Sequence, residues 1–350
     1  MWLNGQWWAL LGVEWDMLLL AGLFGLMAVG GIALAGDLSG DEDAIADDDG
    51  AGTDSDVSEP PGDIIPFDQF LSGDDLDNTI AGDAGDDQID GFGGDDQING
   101  YDGDDLILGG DGNDDLYGAE GQDTVQGGNG DDTLHGQDGD DILSGDAGDD
   151  QLFGHNDDDI MSGGDGADEL QGGLGDDTLT GDAGDDALLG GLGNDHLDGG
   201  AGQDTLFGGW GDDVVSGIET GPADPADAPD ASSDFLNGGG GNDTILAGEG
   251  DVVTAGDGED TIVLGDWIAD GEAAEVMDFD ASHDQLVMVC DMTQDTGPVI
   301  EITTDPANPG VSHILMDGSE IALIRSGSAV TVEDIVLVDH ADGASFGLPA

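Results

Sequence analysis

Gly190-Gly191-Leu192-Gly193-Asn194-Asp195-His196-Leu197-Asp198 is one of sixteen nonapeptides that follow one another without a gap over residues 73–216. In that register, position 1 is Gly in every copy, position 4 is Gly except at Leu76 and Asp157, and position 6 is Asp except at Asn78. Position 8 is always apolar, from Ile80 and Ile89 through Leu134 and Met161 to Val215. A period this strict means stacked identical units, each burying its apolar side chain only against its neighbours.

Each position has a physical task. Glycines at positions 1, 2 and 4 admit positive φ and close backbone approach, so the first six residues are expected to form a tight turn with inward carbonyls. The last three are expected to form a short strand with position 8 facing in and positions 7 and 9 facing out. Two nonapeptides then close one flattened coil, and eight coils spaced by roughly 4.8 Å make a rod about 38 Å long. The Asp at position 6 adds a carboxylate to the turn carbonyls. Hard oxygen donors in a flexible cage suit Ca²⁺ better than Mg²⁺, which demands a stricter octahedron.

The pattern resembles the repeats-in-toxin (RTX, hemolysin-type) calcium-binding family, whose motif is Gly-Gly-x-Gly-x-Asp-x-apolar-x. Residues 127–135, 172–180 and 190–198 match it residue for residue. The resemblance implies an all-β fold, a parallel β-roll or right-handed β-solenoid of nonapeptide repeats. It also implies multiple Ca²⁺ ions held between successive turns. The implied ligands are Asp87, Asp96, Asp105, Asp114, Asp123, Asp132, Asp141, Asp150, Asp159, Asp168, Asp177, Asp186, Asp195, Asp204 and Asp213. Repeats resume at residues 238–246, 247–254 (shortened) and 255–263, where Asp243 and Asp260 take the ligand position and Asp251 is a further candidate.

Charge sharpens the expectation. One basic side chain, Arg325, faces 83 acidic ones, for a formal net charge of -82. Like charges 4 Å apart repel by about 1 kcal/mol even in water, and positions 5 and 6 often place two acids side by side, as in Asp86-Asp87 and Asp149-Asp150. The roll is therefore expected to fold on calcium binding, at about 10⁻⁴ to 10⁻³ M if it works as extracellular calcium modules do. The same charge excludes nucleic acid as a partner, since phosphate binding needs Lys and Arg.

Outside the repeats the chain changes character. Residues 1–36 form an N-terminal hydrophobic helix in this reading, either a membrane anchor or a signal segment. Residues 17–35 are a charge-free apolar run long enough to span a bilayer, preceded by Trp2, Trp7, Trp8 and Trp15, and Ala33-Leu34-Ala35 has the form of a signal-peptidase site. Residues 37–66 read as an acidic disordered linker. The roll is expected over 67–264 with a loop insertion at 218–235, which carries Pro222, Pro225 and Pro229. Residues 265–350 read as a C-terminal β-rich cap of six strand-like runs covering the solenoid end. Val276-Met277-Asp278-Phe279 followed by Asp284 and Leu286 is similar to the segment after the roll in many RTX proteins, and the resemblance implies a type I secretion region near the C-terminus.

No catalytic constellation emerges. The six His form no HExxH pair or cluster in sequence, and no Gly-x-Ser-x-Gly elbow or Walker loop is present. Cys290, the one cysteine, lies in an apolar run and reads as a small core residue. The expectation is a non-enzymatic, calcium-binding roll that is secreted, extracellular or at the cell surface, anchored to the membrane through residues 17–35 if that segment is not cleaved. The alternative is a cell-surface or matrix adhesion module; an RTX toxin or enzyme remnant ranks lower. The adhesion reading rests on one outward row, Asn99, Tyr117, His135, Phe153, Gln171, Leu189 and Phe207, which is richer in aromatics than its counterpart from Asp90 to Ser216.

Overall fold

A computed structural model describes residues 68–218, 233–268, 272–290, 292, 297–308, 310–326 and 330–339. The expected N-terminal helix and the acidic linker lie outside the described residues, as does most of the Pro-rich insertion. Among the described residues no helix is long and apolar enough to cross a membrane.

The repeats fold into an all-β parallel solenoid. Alternate nonapeptides contribute strands to two sheets, one of thirteen strands beginning at Gln69–Ser72 and ending at Ile335–Asp339, the other of fourteen beginning at Thr79–Ala81. Eighteen residues make one coil, so Leu152 pairs with Leu134 on one side and Leu170 on the other, and the registers do not slip within the repeats. The position 8 side chains stack in the interior, and Ile89 to Val215 are all buried. Ile80, in the first coil, is only half-buried.

Strands and turns divide the nonapeptide differently from the expectation. A typical strand runs from position 7 through position 3 of the next copy, as in Gln97–Asp102, Thr133–Asp138 and Gln151–Asn156. The turn is therefore positions 4 to 6, half the expected length. The cause is that residues after the position 1 glycine still find partners one coil away: His155 pairs with Gln137, and Asn156 with Asp138. Positive φ at position 2 does not break the ladder, even where the residue is Phe92, Tyr101 or His155.

The insertion is also shorter than expected. Asp234 and Phe235 already belong to the roll, with Phe235 opening the strand Phe235–Gly240 in register with Thr205. Beyond residue 265, Ala274–Phe279 and Gln285–Cys290 carry the two sheets on in parallel. Ser319–Ser326 then pairs with Ala274–Phe279, and the antiparallel strands Val311–Met316 and Ile300–Thr304 extend that sheet. Larger side chains fill this end, with Phe279, Met288, Ile314 and Ile324 fully buried.

Coil spacing explains the glycine at position 4. A Cβ on Gly130, whose φ is +128°, would lie 2.1 Å from the carbonyl oxygen of Gly112 in the preceding coil. Gly318 also has a positive φ but nothing within 4 Å of that point. Gly130→Ala is expected to destabilise the folded chain by about 2–4 kcal/mol, from backbone strain plus overpacking, and Gly318→Ala by about 1 kcal/mol. Denaturant midpoints of the two variants would test this; equal shifts would refute the close-approach argument.

Candidate metal centre

The turn places position 6 at the flank of the roll with its carboxylate turned inward. Asp87, Asp96, Asp105 and the position 6 residues up to Asp260 are all essentially inaccessible to solvent. One oxygen of each is spoken for. The backbone N–H of Asp141 donates to Asp159 Oδ1 at 2.9 Å, Asp159 donates to Asp177 at 2.9 Å, and Asp177 to Asp195 at 2.9 Å. On each side of the roll, every repeat thus donates one backbone hydrogen bond to the carboxylate one coil further on.

Two such ladders run along the roll. One passes through Asp87, Asp105, Asp123, Asp141, Asp159, Asp177, Asp195, Asp213, Asp243 and Asp260 and ends on Asp284. The other passes from Asn78 through Asp96, Asp114, Asp132, Asp150, Asp168, Asp186, Asp204 and Asp234 to Asp251. All seventeen sequence-predicted ligand positions fall on these two lines. Asp251, the further candidate, joins them, and so do Asp234 and Asp284, which the nonapeptide register misses. Their signal was the four-residue tail Asp-x-apolar-x, present in Asp234-Phe235-Leu236-Asn237 and Asp284-Gln285-Leu286-Val287 without the glycines that normally precede it.

The second carboxylate oxygen is the chemically informative one. Oδ2 of Asp96, Asp114, Asp132, Asp141, Asp159, Asp177 and Asp195, among others, is buried without a hydrogen-bond partner. A buried carboxylate oxygen with no donor is costly, and here the cost recurs at every coil. Each such oxygen packs directly against the position 1 glycine, where a side chain would collide with it. A Cβ on Gly190 would meet Asp195 Oδ2 at 2.3 Å and the carbonyl oxygen of Gly208 at 2.5 Å, and Gly109 stands in the same relation to Asp114 and Gly127. Carboxylate and carbonyl oxygens from adjacent coils converge where no side chain can stand. That donor set, oxygen only and anionic, fits a hard divalent cation. No three His, Cys, Asp or Glu side chains among the described residues cluster closely enough to hold a metal by themselves, so carbonyls must complete any ligand set.

Without a cation, burial governs the carboxyls. Desolvation pushes Asp159 up to about 8, Asp123, Asp132, Asp186, Asp195 and Asp243 to about 7, and Asp105, Asp141, Asp150 and Asp177 to about 6. The backbone N–H from the preceding coil pulls each one back, and neighbouring aspartates add repulsion. Position 5 behaves otherwise. Its side chain is exposed and accepts from the opposite direction: Asp104 N–H donates to Asp86 at 3.1 Å, and Asp176 N–H to Asp158 at 2.8 Å.

The outward face holds one grouping that sequence spacing conceals. The rings of Tyr117, His135 and Phe153 stack with centroids 4.7 and 4.9 Å apart. His155, at position 2 of the next coil, brings Nε2 to 3.1 Å from His135 Nδ1. The histidines that read as scattered therefore include one pair in contact, separated by one coil plus two residues.

No curated protein matches the chain. A family model described as the RTX calcium-binding nonapeptide repeat matches residues 72–107, 90–125, 126–161, 162–197, 189–217 and 230–251. Family and geometry agree on the same periodic turns, and the chain belongs, across residues 72–251, to the family of RTX calcium-binding nonapeptide repeat proteins.

Proposed function

We propose that this protein is an extracytoplasmic, non-catalytic calcium-binding roll whose folding is driven by the ions. The observation that carries the reading is the two lines of buried Oδ2 atoms without partners, several of them, as at Asp96, Asp114, Asp150 and Asp195, beside a carbonyl of the adjacent coil. When bound, Ca²⁺ supplies positive charge and open coordination sites to those oxygens. The ligands we assign are the position 6 aspartates from Asp87 to Asp260, with Asp251 and Asp234 in the same lines. The chain's own residues do the rest: position 1 glycine leaves room, the N–H of the preceding coil orients the carboxylate, and position 8 excludes water from the interior.

Apolar burial alone is too thin to hold this fold. One aliphatic side chain per nine ordered residues returns far less than the ordering costs, while the acidic side chains repel one another. Ion binding is then folding free energy. A calcium-poor cytosol and a calcium-rich exterior would leave the chain unfolded in one and folded in the other, which supports export before folding. The route and the role of residues 1–36 belong to this proposal, as does a capping role for residues 272–339.

A second reading, an adhesion module, is favoured by one surface. Leu174, Leu189, Leu192, Phe207, Trp210 and Phe235 are exposed on neighbouring strands of one sheet, and Trp210 is 71% accessible. Trp210, at position 3, was not part of the aromatic row expected from sequence.

Three outcomes are expected. Far-UV circular dichroism should show a cooperative gain of β signal near millimolar calcium and none with magnesium; a chain already β-rich in chelator, or still coil in calcium, would overturn the folding switch.

In metal-free buffer, the raised carboxyl pKa values mean that the roll binds more protons than the unfolded chain. Acidification from about pH 8 towards 4 should therefore favour the roll. A β signal that falls over that window would give the wrong sign.

For the second reading, replacing Leu192, Phe207 and Trp210 by Ser should abolish retention on cells or matrix with calcium loading unchanged. Undiminished retention would reject that surface.

A further inference from the structure

The copy at residues 154–162 departs furthest from the glycine pattern in the middle of the roll. Among the described residues it is the one copy with residues other than Gly at positive φ in both position 2 and position 4: His155 at +81° and Asp157 at +71°. Position 2 is Gly in seven of the sixteen copies, and a backbone conformation unfavourable to an L side chain is a reason to ask what that side chain does. Here it reaches back across one coil to His135. Nδ1 of His135 and Nε2 of His155 stand 3.1 Å apart, with ring centroids 5.3 Å apart and planes 25° from parallel.

We propose that His135 and His155 form a bis-imidazole site for a borderline divalent cation, Cu²⁺, Ni²⁺ or Zn²⁺, distinct from the oxygen-lined calcium positions. Imidazole nitrogen suits these ions, whereas Ca²⁺ takes oxygen. Two nitrogens each about 2.05 Å from one ion, at roughly tetrahedral to right-angle spread, lie about 2.9–3.4 Å apart, which brackets the observed separation. In the ion's absence the rings meet edge to edge, and one N–H donates to the other ring's nitrogen. The ion takes the place of that proton, which passes through solvent to the other nitrogen of its own ring, and both side chains turn their lone pairs onto the ion from the open face.

The surroundings favour a placed pair. Tyr117 and Phe153 sandwich the His135 ring from the coils on either side, at 4.7 and 4.9 Å, which fixes its orientation. A shallow hollow of about 450 Å³ in front of the pair is lined by Tyr117, Gln137, Asp138 and Asn156 as well as the two imidazoles. Asn156 Nδ2 donates to Asp138 Oδ1 at 2.6 Å. Solvent can complete the coordination sphere from that side.

The test uses the full chain in millimolar calcium, with circular dichroism run on every sample so that a failure of the roll is seen separately from a failure of the site. One equivalent of Cu²⁺ is added and read by electron paramagnetic resonance for nitrogen hyperfine structure, and Zn²⁺ affinity is measured by calorimetry. Wild type is expected to show a two-nitrogen signal. His135→Ala and His155→Gly are each expected to lose it and to weaken Zn²⁺ binding at least tenfold, and His196→Ala to change neither. His155→Gly introduces the repeat's own residue at a strained position, so its roll should be as stable as wild type or more so. Oxygen-only coordination in wild type, or a nitrogen signal and Zn²⁺ affinity that survive both substitutions, would overturn the assignment and leave the contact as a hydrogen bond only.

Discussion

Every coil from Asp87 to Asp260 buries a carboxylate with one oxygen that has no donor, and the rest of the structure is arranged around that fact. The glycine at position 1 is there because a side chain would collide with the oxygen, as Gly190 and Asp195 show. The backbone N–H at position 6 of the preceding coil holds the other oxygen, as Asp141 does for Asp159. Remove the burial and the carboxyls return to ordinary behaviour, but so does the turn to ordinary coil. A negative column with further acidic side chains around it is a structure waiting for positive charge, and with one Arg in the chain, that charge has to come from solution.

The two adjacent acids found in most of the turns look redundant in sequence and are not. Position 5 accepts an N–H from the following coil and stays in water; position 6 accepts from the preceding coil and is buried. The pair thus staples its turn to both neighbours at once. This division also separates the charges by environment: position 5 remains screened by solvent, and the electrostatic problem is confined to the inner line.

Much of this was legible in the residues. Period, class, core column and ligand line all follow from a motif with one residue type per task, because a repeat of nine leaves almost no conformational freedom once glycine, Asp and the apolar position are assigned. What escaped notice depends on the long-range register. Asp234 and Asp284 kept the strand half of the motif but lost its glycine half, so a search anchored on glycine passed over them. His135 and His155 are twenty residues apart, a distance that means contact only when the coil length and the offset from position 9 to position 2 are both known. The turn is shorter than the glycine pattern suggests for a related reason: glycine does not by itself mark a turn, since position 2 with positive φ still pairs with its neighbour.

Successive aspartates on a ladder are separated by eighteen residues through most of the roll, then by thirty where residues 218–233 intervene, by seventeen where one copy is short, and by twenty-four at the far end. The bond between them hardly changes up to Asp260, from 2.8 Å at Asp195–Asp213 to 2.9 Å at Asp213–Asp243 and 3.0 Å at Asp243–Asp260, and lengthens to 3.4 Å only at Asp260–Asp284. Gains and losses of chain fall outside the strands, where an odd residue would turn every side chain over. A solenoid of this kind is therefore modular in the tailor's sense: material can be let out or taken in at a seam without recutting the cloth. Lineages that inherit such a roll can lengthen it, shorten it or carry extra segments on it while the stacking geometry is passed on intact.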